Sequence, residues 1–169
     1  MNPAITYVAP LTLAFLAMTP GSPQEKTPLS SQKLLSEGRY ILRGGEAFDR
    51  ITKLTWQRCT LGRHWEEGRG SVGTALKLNW ETAMKQSQKG WRLPTKDELE
   101  TLVLAGSPRP TLDTQVFPDT GLDGVWWYWT STPYPKDAAG AWAVHFGDGQ
   151  SGYAFPHKKG SVRLVRSEP

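Results

Sequence analysis

Glycine and proline punctuate this chain throughout, supplying 17 and 13 of its 169 residues. Glycine provides the positive-φ positions that tight turns need, and proline removes a backbone donor. A sequence interrupted this often is expected to build many short elements joined by turns, not a helical bundle. Its 38% hydrophobic and 21% charged residues suit one globular core, which argues against both a two-domain enzyme and a disordered chain. There is one cysteine, Cys59. That excludes an internal disulfide framework, and any zinc or iron–sulfur site needing several thiolates.

The net charge of +4 conceals an uneven distribution, +7 over residues 1–96, −6 over 97–148 and +3 over 149–169. A basic face toward a polyanion is compatible with this, but no long block of like charges marks a nucleic-acid tail. No charged side chain precedes Glu25, and Val8 to Met18 is mostly apolar, interrupted by Pro10 and Thr12. The run is short for a membrane span and reads as the apolar part of a signal peptide over residues 1–21, cleaved after Gly21. The mature protein is then exported, periplasmic or secreted, without a transmembrane span. Residues 22–38 read as a linker and 39–166 as the folded domain.

Within the domain, Arg39 to Leu42 and Leu54 to Gln57 read as two strands, and Thr60 to Ala75, with four glycines, as a loop around His64 and Trp65. Asn79 can cap a helix running to about Gln88. Thr95 and Glu98 form a capping box for a second helix carrying Leu99, Leu102 and Val103, stopped by Gly106. Residues 106–124 are expected to be irregular. The last third reads as sheet: Trp127 to Thr132, Ala141 to Phe146, Ser151 to Phe155 and Ser161 to Arg166. The fold class is therefore α+β, an antiparallel sheet with two short helices and long loops, whose first and last strands are expected to pair.

Several segments recur together in a known family. They are Leu54-Thr55-Trp56-Gln57-Arg58-Cys59, the Trp80 to Met84 helix, Trp91-Arg92-Leu93-Pro94-Thr95 with Glu98-Leu99, Tyr128 to Thr132, Ala141 to Phe146 and Val162 to Arg166. In this order they resemble the DUF1566 family, to which the carboxy-terminal domain of the Legionella collagen-like adhesin belongs. The resemblance covers residues 39–166. It implies a C-type-lectin-like fold, related also to formylglycine-generating enzymes, in mostly exported bacterial proteins without known catalysis, of which the Legionella domain is associated with binding sulfated glycosaminoglycans and with adhesion. It also implies a second cysteine about where Ser71 stands here, closing the loop after Cys59; without it, Cys59 is expected to be buried beside Trp56 or to pair between chains.

Enzyme signatures are lacking: His64, His145 and His157 are isolated, and there is no phosphate-cradling glycine loop and no nucleophile elbow. A single cysteine cannot supply the copper-binding pair of the formylglycine-generating relatives. Asp113, Asp119 and Asp123 are close enough in sequence to line a calcium loop, yet acidic loops are commonly only solvated. No cofactor or metal is expected. Among the tryptophans, Trp56, Trp80, Trp91, Trp129 and Trp142 fall on apolar sides of elements and read as core. Trp65 and Trp126 lie in loops and read as ligand-facing. For an anionic ligand the candidate cations are Lys158 and Lys159 beside His157, and Arg63 and Arg69 flanking Trp65. Arg92 and Arg163 read as structural. The leading expectation is a non-catalytic binding domain for a sulfated or acidic polysaccharide. The alternatives are a protein-binding assembly module, oligomeric or not, anchored by Trp65, Trp126 and Tyr153, and a formylglycine-generating-type enzyme.

Overall fold

A computed structural model describes residues 38–167. The signal peptide expected over 1–21, and all but the last residue of the 22–38 linker, lie outside the described residues. Among those described, the chain forms β1 (Tyr40–Arg43), β2 (Glu46–Asp49), β3 (Leu54–Gln57), β4 (Arg63–Glu66), β5 (Gly70–Gly73), α1 (Trp80–Met84), α2 (Lys96–Glu100), β6 (Trp127–Tyr134), β7 (Asp137–His145), β8 (Gln150–Ala154) and β9 (Val165–Ser167). Antiparallel pairing gives three sheets, β1-β2-β3-β9, the hairpin β4-β5, and β6-β7-β8. The architecture is α+β.

Several elements differ from expectation. The amino-terminal pair of strands is a set of three, because Gly44 and Gly45 return the chain at once and pair Arg43 with Glu46. With β2 on its inner edge, β1 does not meet the last strand. Instead β9 joins β3, pairing Trp56 with Val165, both fully buried. The expected strand Ser161 to Arg166 is shortened to Val165–Ser167. Ahead of it, residues 161–164 form a buried seam: Trp129 N donates to Ser161 O at 3.0 Å, Leu61 N to Val162 O at 2.8 Å and Gln57 N to Leu164 O at 3.0 Å. Thr60 to Ala75 is not a loop. Its glycines serve as positive-φ positions at the hairpin's corners, with Gly68 at +77° and Gly70 at +79°, and Arg69 N bonds Glu66 O at 3.1 Å across the turn.

Asn79 caps α1 as expected, its Oδ1 accepting from Thr82 N at 2.9 Å. The helix ends at Met84, however, because Gln88 and Trp91 exchange backbone bonds around a turn at Lys89 and Gly90. Helix α2 carries the expected capping box, Thr95 Oγ1 with Glu98 N and Glu98 Oε2 with Thr95 N. Leu99 and Leu102 are buried, and the helix stops at Glu100, before Gly106.

Two apolar clusters hold the sheets together. Trp56, Leu99, Leu102, Phe117, Tyr128, Val144, Phe146 and Val165 form one, and Ala83, Leu93, Trp129, Ala141, Ala143, Val162 and Leu164 the other. Trp56 and Trp129 are core residues as expected. Trp80, Trp91 and Trp142 are only half-buried, because each sits at an element's margin; Trp80 Nε1, for example, bonds Thr130 O at 2.8 Å. Between the clusters lies Arg163, which donates to Gln57 O and Arg58 O, and to Asp119 Oδ1 at 3.0 Å. Arg92 forms a two-bonded pair with Glu98. Both arginines are structural.

Candidate functional site

The register of β6-β7-β8 decides which aromatic side chains meet. Trp129 stands opposite Ala143, Ala143 opposite Gly152, and Ala141 opposite Ala154. Directly opposed residues of an antiparallel ladder share a face. Small residues therefore floor this face, and indoles flank it. A Cβ at Gly152 would lie 3.5 Å from the Trp127 ring and one at Gly160 2.9 Å from Trp129 Nε1, so both indoles rest where no side chain intervenes. The result is a cleft of about 360 Å³ walled by Trp127, Trp129, Tyr153 and Phe155, with Lys158 and Lys159 also lining it.

Its parts differ in freedom. Trp129 is fixed, its Nε1 donating to Leu78 O at 2.7 Å. Trp127 and Phe155 are 40% and 54% exposed, which makes them the available stacking surfaces. Trp127 is braced by the His145 ring 4.7 Å away. His145 Nδ1 in turn lies 2.8 Å from Asp148 Oδ1, and this close approach holds the Asp148 carboxyl below its usual range. Tyr153 packs edge-on against Tyr134 at 4.9 Å and Phe155 at 5.0 Å. Both lysines are exposed, and neither forms an ion pair among the described residues.

Of the residues singled out in the sequence, the structure brings Tyr153, Lys158 and Lys159 to this cleft. His157 is exposed beside it, 5.7 Å from Phe155. Trp65, Arg63 and Arg69 lie elsewhere, on the β4-β5 hairpin. Arg63 is paired with Asp123 at 2.9 Å and exposed Arg69 with Glu66 at 2.6 Å. Trp65 is half-buried under the Arg58 guanidinium, 3.7 Å from the ring centroid. Trp126 joins neither group; it packs on Gly121 with Arg109 5.4 Å over its ring, a half-buried support for the irregular segment.

Cys59 is buried and unbridged. Burial pushes its thiol pKa up, and the nearby Ser71 hydroxyl opposes the shift only in part. Asp113, Asp119 and Asp123 do not form one acidic cluster: Asp119 and Asp123 come together only on the Arg63 guanidinium, at 4.0 and 2.9 Å. Asp113 caps the Gln115 turn, Asp119 pairs with Arg163, and Asp123 with Arg63. Among the described residues no group of three His, Cys, Asp or Glu side chains is placed to hold a metal ion. None of their helices is long and apolar enough to cross a membrane.

The buried Arg163 seam, the capped α2 and the β6-β7 pair all fall inside residues 45–166, and these residues match the model of the Lcl C-terminal domain. The chain belongs to that family. No curated protein matches it. In this Lcl C-terminal domain the aromatic cleft includes residues that reading the sequence missed. Trp127 and Phe155 carry its exposed rings. Alternation does place Trp127 on the side of Trp129, but only the bare Gly152 beside it, across the β7 strand, shows that it stays open.

Proposed function

We propose that this Lcl C-terminal domain is an exported, non-catalytic binding domain that recognises an anionic glycan through the Trp127 cleft. The observation that carries the reading is the meeting of two exposed rings, Trp127 and Phe155, with two ammonium groups, Lys158 and Lys159, that form no ion pair among the described residues, around one groove. Sugar rings stack their C–H faces on aromatic surfaces, and ammonium groups donate charge-assisted bonds to sulfate or carboxylate substituents. A C-type-lectin-like fold of the DUF1566 kind accords with the α+β architecture and its long irregular segment. Placement in the periplasm or outside the cell rests on the apolar amino-terminal segment.

The protein-binding alternative relied on Trp65, Trp126 and Tyr153 as anchors. All three are half-buried, which leaves them less free to insert into a partner.

Retention on immobilised heparin tests the proposal. The protein is expected to elute at salt above the physiological range, and the Lys158→Ala/Lys159→Ala and Trp127→Ala variants at clearly lower salt. Elution of the parent at physiological salt, unchanged by these substitutions, overturns it.

A further inference from the structure

A second cleft, of about 400 Å³, opens between the ends of β1, β2 and β3 and the β4-β5 hairpin. It shares no residue with the Trp127 cleft. We propose that it binds a sugar ring bearing a carboxylate.

The strand register assembles its polar side. Arg43 stands opposite Glu46, and Glu46 opposite Gln57, so the three side chains lie in a row on one face. Glu46 is already engaged, its Oε2 2.9 Å from Arg166. Arg63, also in the lining, is engaged by Asp123. The Arg43 guanidinium and the Gln57 carboxamide have no side-chain partner among the described residues, and both line the cleft. A further positive charge stands behind them: Arg58 spends its donors on the carbonyls of Gly44, Gln115 and Val116 and forms no ion pair among the described residues. The local charge that awaits a partner is therefore positive.

The apolar side is two indoles, Trp65 and Trp91, and both are fixed in advance. Arg58 lies 3.7 Å from the centroid of Trp65, and Arg166 4.7 Å from that of Trp91. Gly45 lets Trp65 approach the strand turn, since a Cβ there would sit 2.8 Å from the Trp65 Cβ. Rings held before a ligand arrives spare it the cost of ordering them. The volume falls in the ordinary range of small-ligand sites, about 300–1,000 Å³.

These groups match one ligand chemistry. A guanidinium offers two parallel N–H bonds to a planar carboxylate, a carboxamide both donates to and accepts from a ring hydroxyl, and an indole stacks on the C–H face of a pyranose.

Titration of the protein with an unsulfated, glucuronate-containing tetrasaccharide, read by tryptophan emission, tests this. Saturable binding is expected, weakened about tenfold or more by Arg43→Ala, the loss expected for a charge-assisted pair. A tetrasaccharide whose carboxyl groups have been reduced to alcohols is expected to lose affinity to the same extent. Arg43 is exposed on β1, so the variant keeps the fold. No saturable response at millimolar sugar, equal binding of the reduced sugar, or an unaffected Arg43→Ala variant overturns the proposal. Heparin carries uronate carboxylates as well as sulfates, so the two clefts are separated by rank order: Arg43→Ala is expected to weaken the tetrasaccharide more than Lys158→Ala/Lys159→Ala does, and to lower heparin retention less, so failure at one cleft is distinguishable from failure at the other.

Discussion

The Arg163 guanidinium and the Asp119 carboxylate meet at 3.0 Å with both side chains wholly shielded from solvent. This pair joins three parts of the chain. Arg163 reaches the carbonyls of Gln57 and Arg58 at the end of β3, and Asp119 takes Thr60 N at 2.7 Å and Ser71 Oγ at 2.8 Å. The irregular segment before β6 is thereby tied to the first sheet and to the hairpin.

Arg163→Met is expected to destabilise the domain by about 3–5 kcal/mol, because it leaves a buried carboxylate without its counter-charge. The urea midpoint measures this. Adding Asp119→Asn to the Arg163→Met background is expected to recover part of the loss, since the orphaned charge is then gone. A double variant no more stable than the single one would show that the carbonyl contacts of Arg163, and not the ion pair, dominate.

The same pair sets an acid limit. Burial alone pushes the Asp119 carboxyl up, but the charge of Arg163 and the bonds from Thr60 and Ser71 outweigh it and hold the carboxyl below its usual range. Asp49, bonded by Arg39, and Glu98, bonded by Arg92, are likewise depressed. A depressed carboxyl stabilises the fold above its unfolded pKa, and that contribution is lost as pH falls through the folded value. Stability is therefore expected to fall as pH drops below about 4. In Asp119→Asn the slope of stability against pH is expected to be shallower in that range.

What the sequence makes legible follows from locality. The Thr95–Glu98 capping box and the Asn79 cap need only residues three apart, and both form as read. Strand order depends on distant partners. The pairing of β9 with β3 is decided by the burial of Val165 against Trp56, which no local pattern displays. The β4-β5 hairpin escaped because its strands are four residues long and bounded by glycines, whose turn conformations look like a loop when counted by type. The site was half legible for a related reason. Lys158 and Lys159 stand out as adjacent charges, whereas the openness of Trp127 depends on a glycine two strands away.

Ser71→Cys is expected to form a disulfide with Cys59. Ser71 and Thr60, the residue after Cys59, bond the same Asp119 oxygen at 2.8 and 2.7 Å, which brings the Ser71 side chain beside Cys59. Closing a loop of this size contributes about 2–3 kcal/mol by restricting the unfolded chain. The substitution also removes the bond from Ser71 Oγ to Asp119, so the gain should be read as oxidised against reduced forms of the same variant. Titration of two free thiols after air oxidation would contradict it.

The two indoles that wall the aromatic cleft are expected to respond oppositely to truncation. Trp129 is 2% exposed, packs with Leu93, Ala143 and Val162, and its Nε1 bonds Leu78 O. Trp129→Ala should cost about 3–5 kcal/mol, through the cavity left and a stranded carbonyl. Trp127 is 40% exposed and meets the fold mainly through the His145 ring and Gly152. Its truncation gives up little buried area, so the unfolding free energy from urea titration should fall by about 1 kcal/mol or less. Heparin retention, by contrast, should fall, because the lost ring is the one a ligand can reach. A Trp127→Ala variant that unfolds as readily as Trp129→Ala would make Trp127 a core residue and remove it from the site.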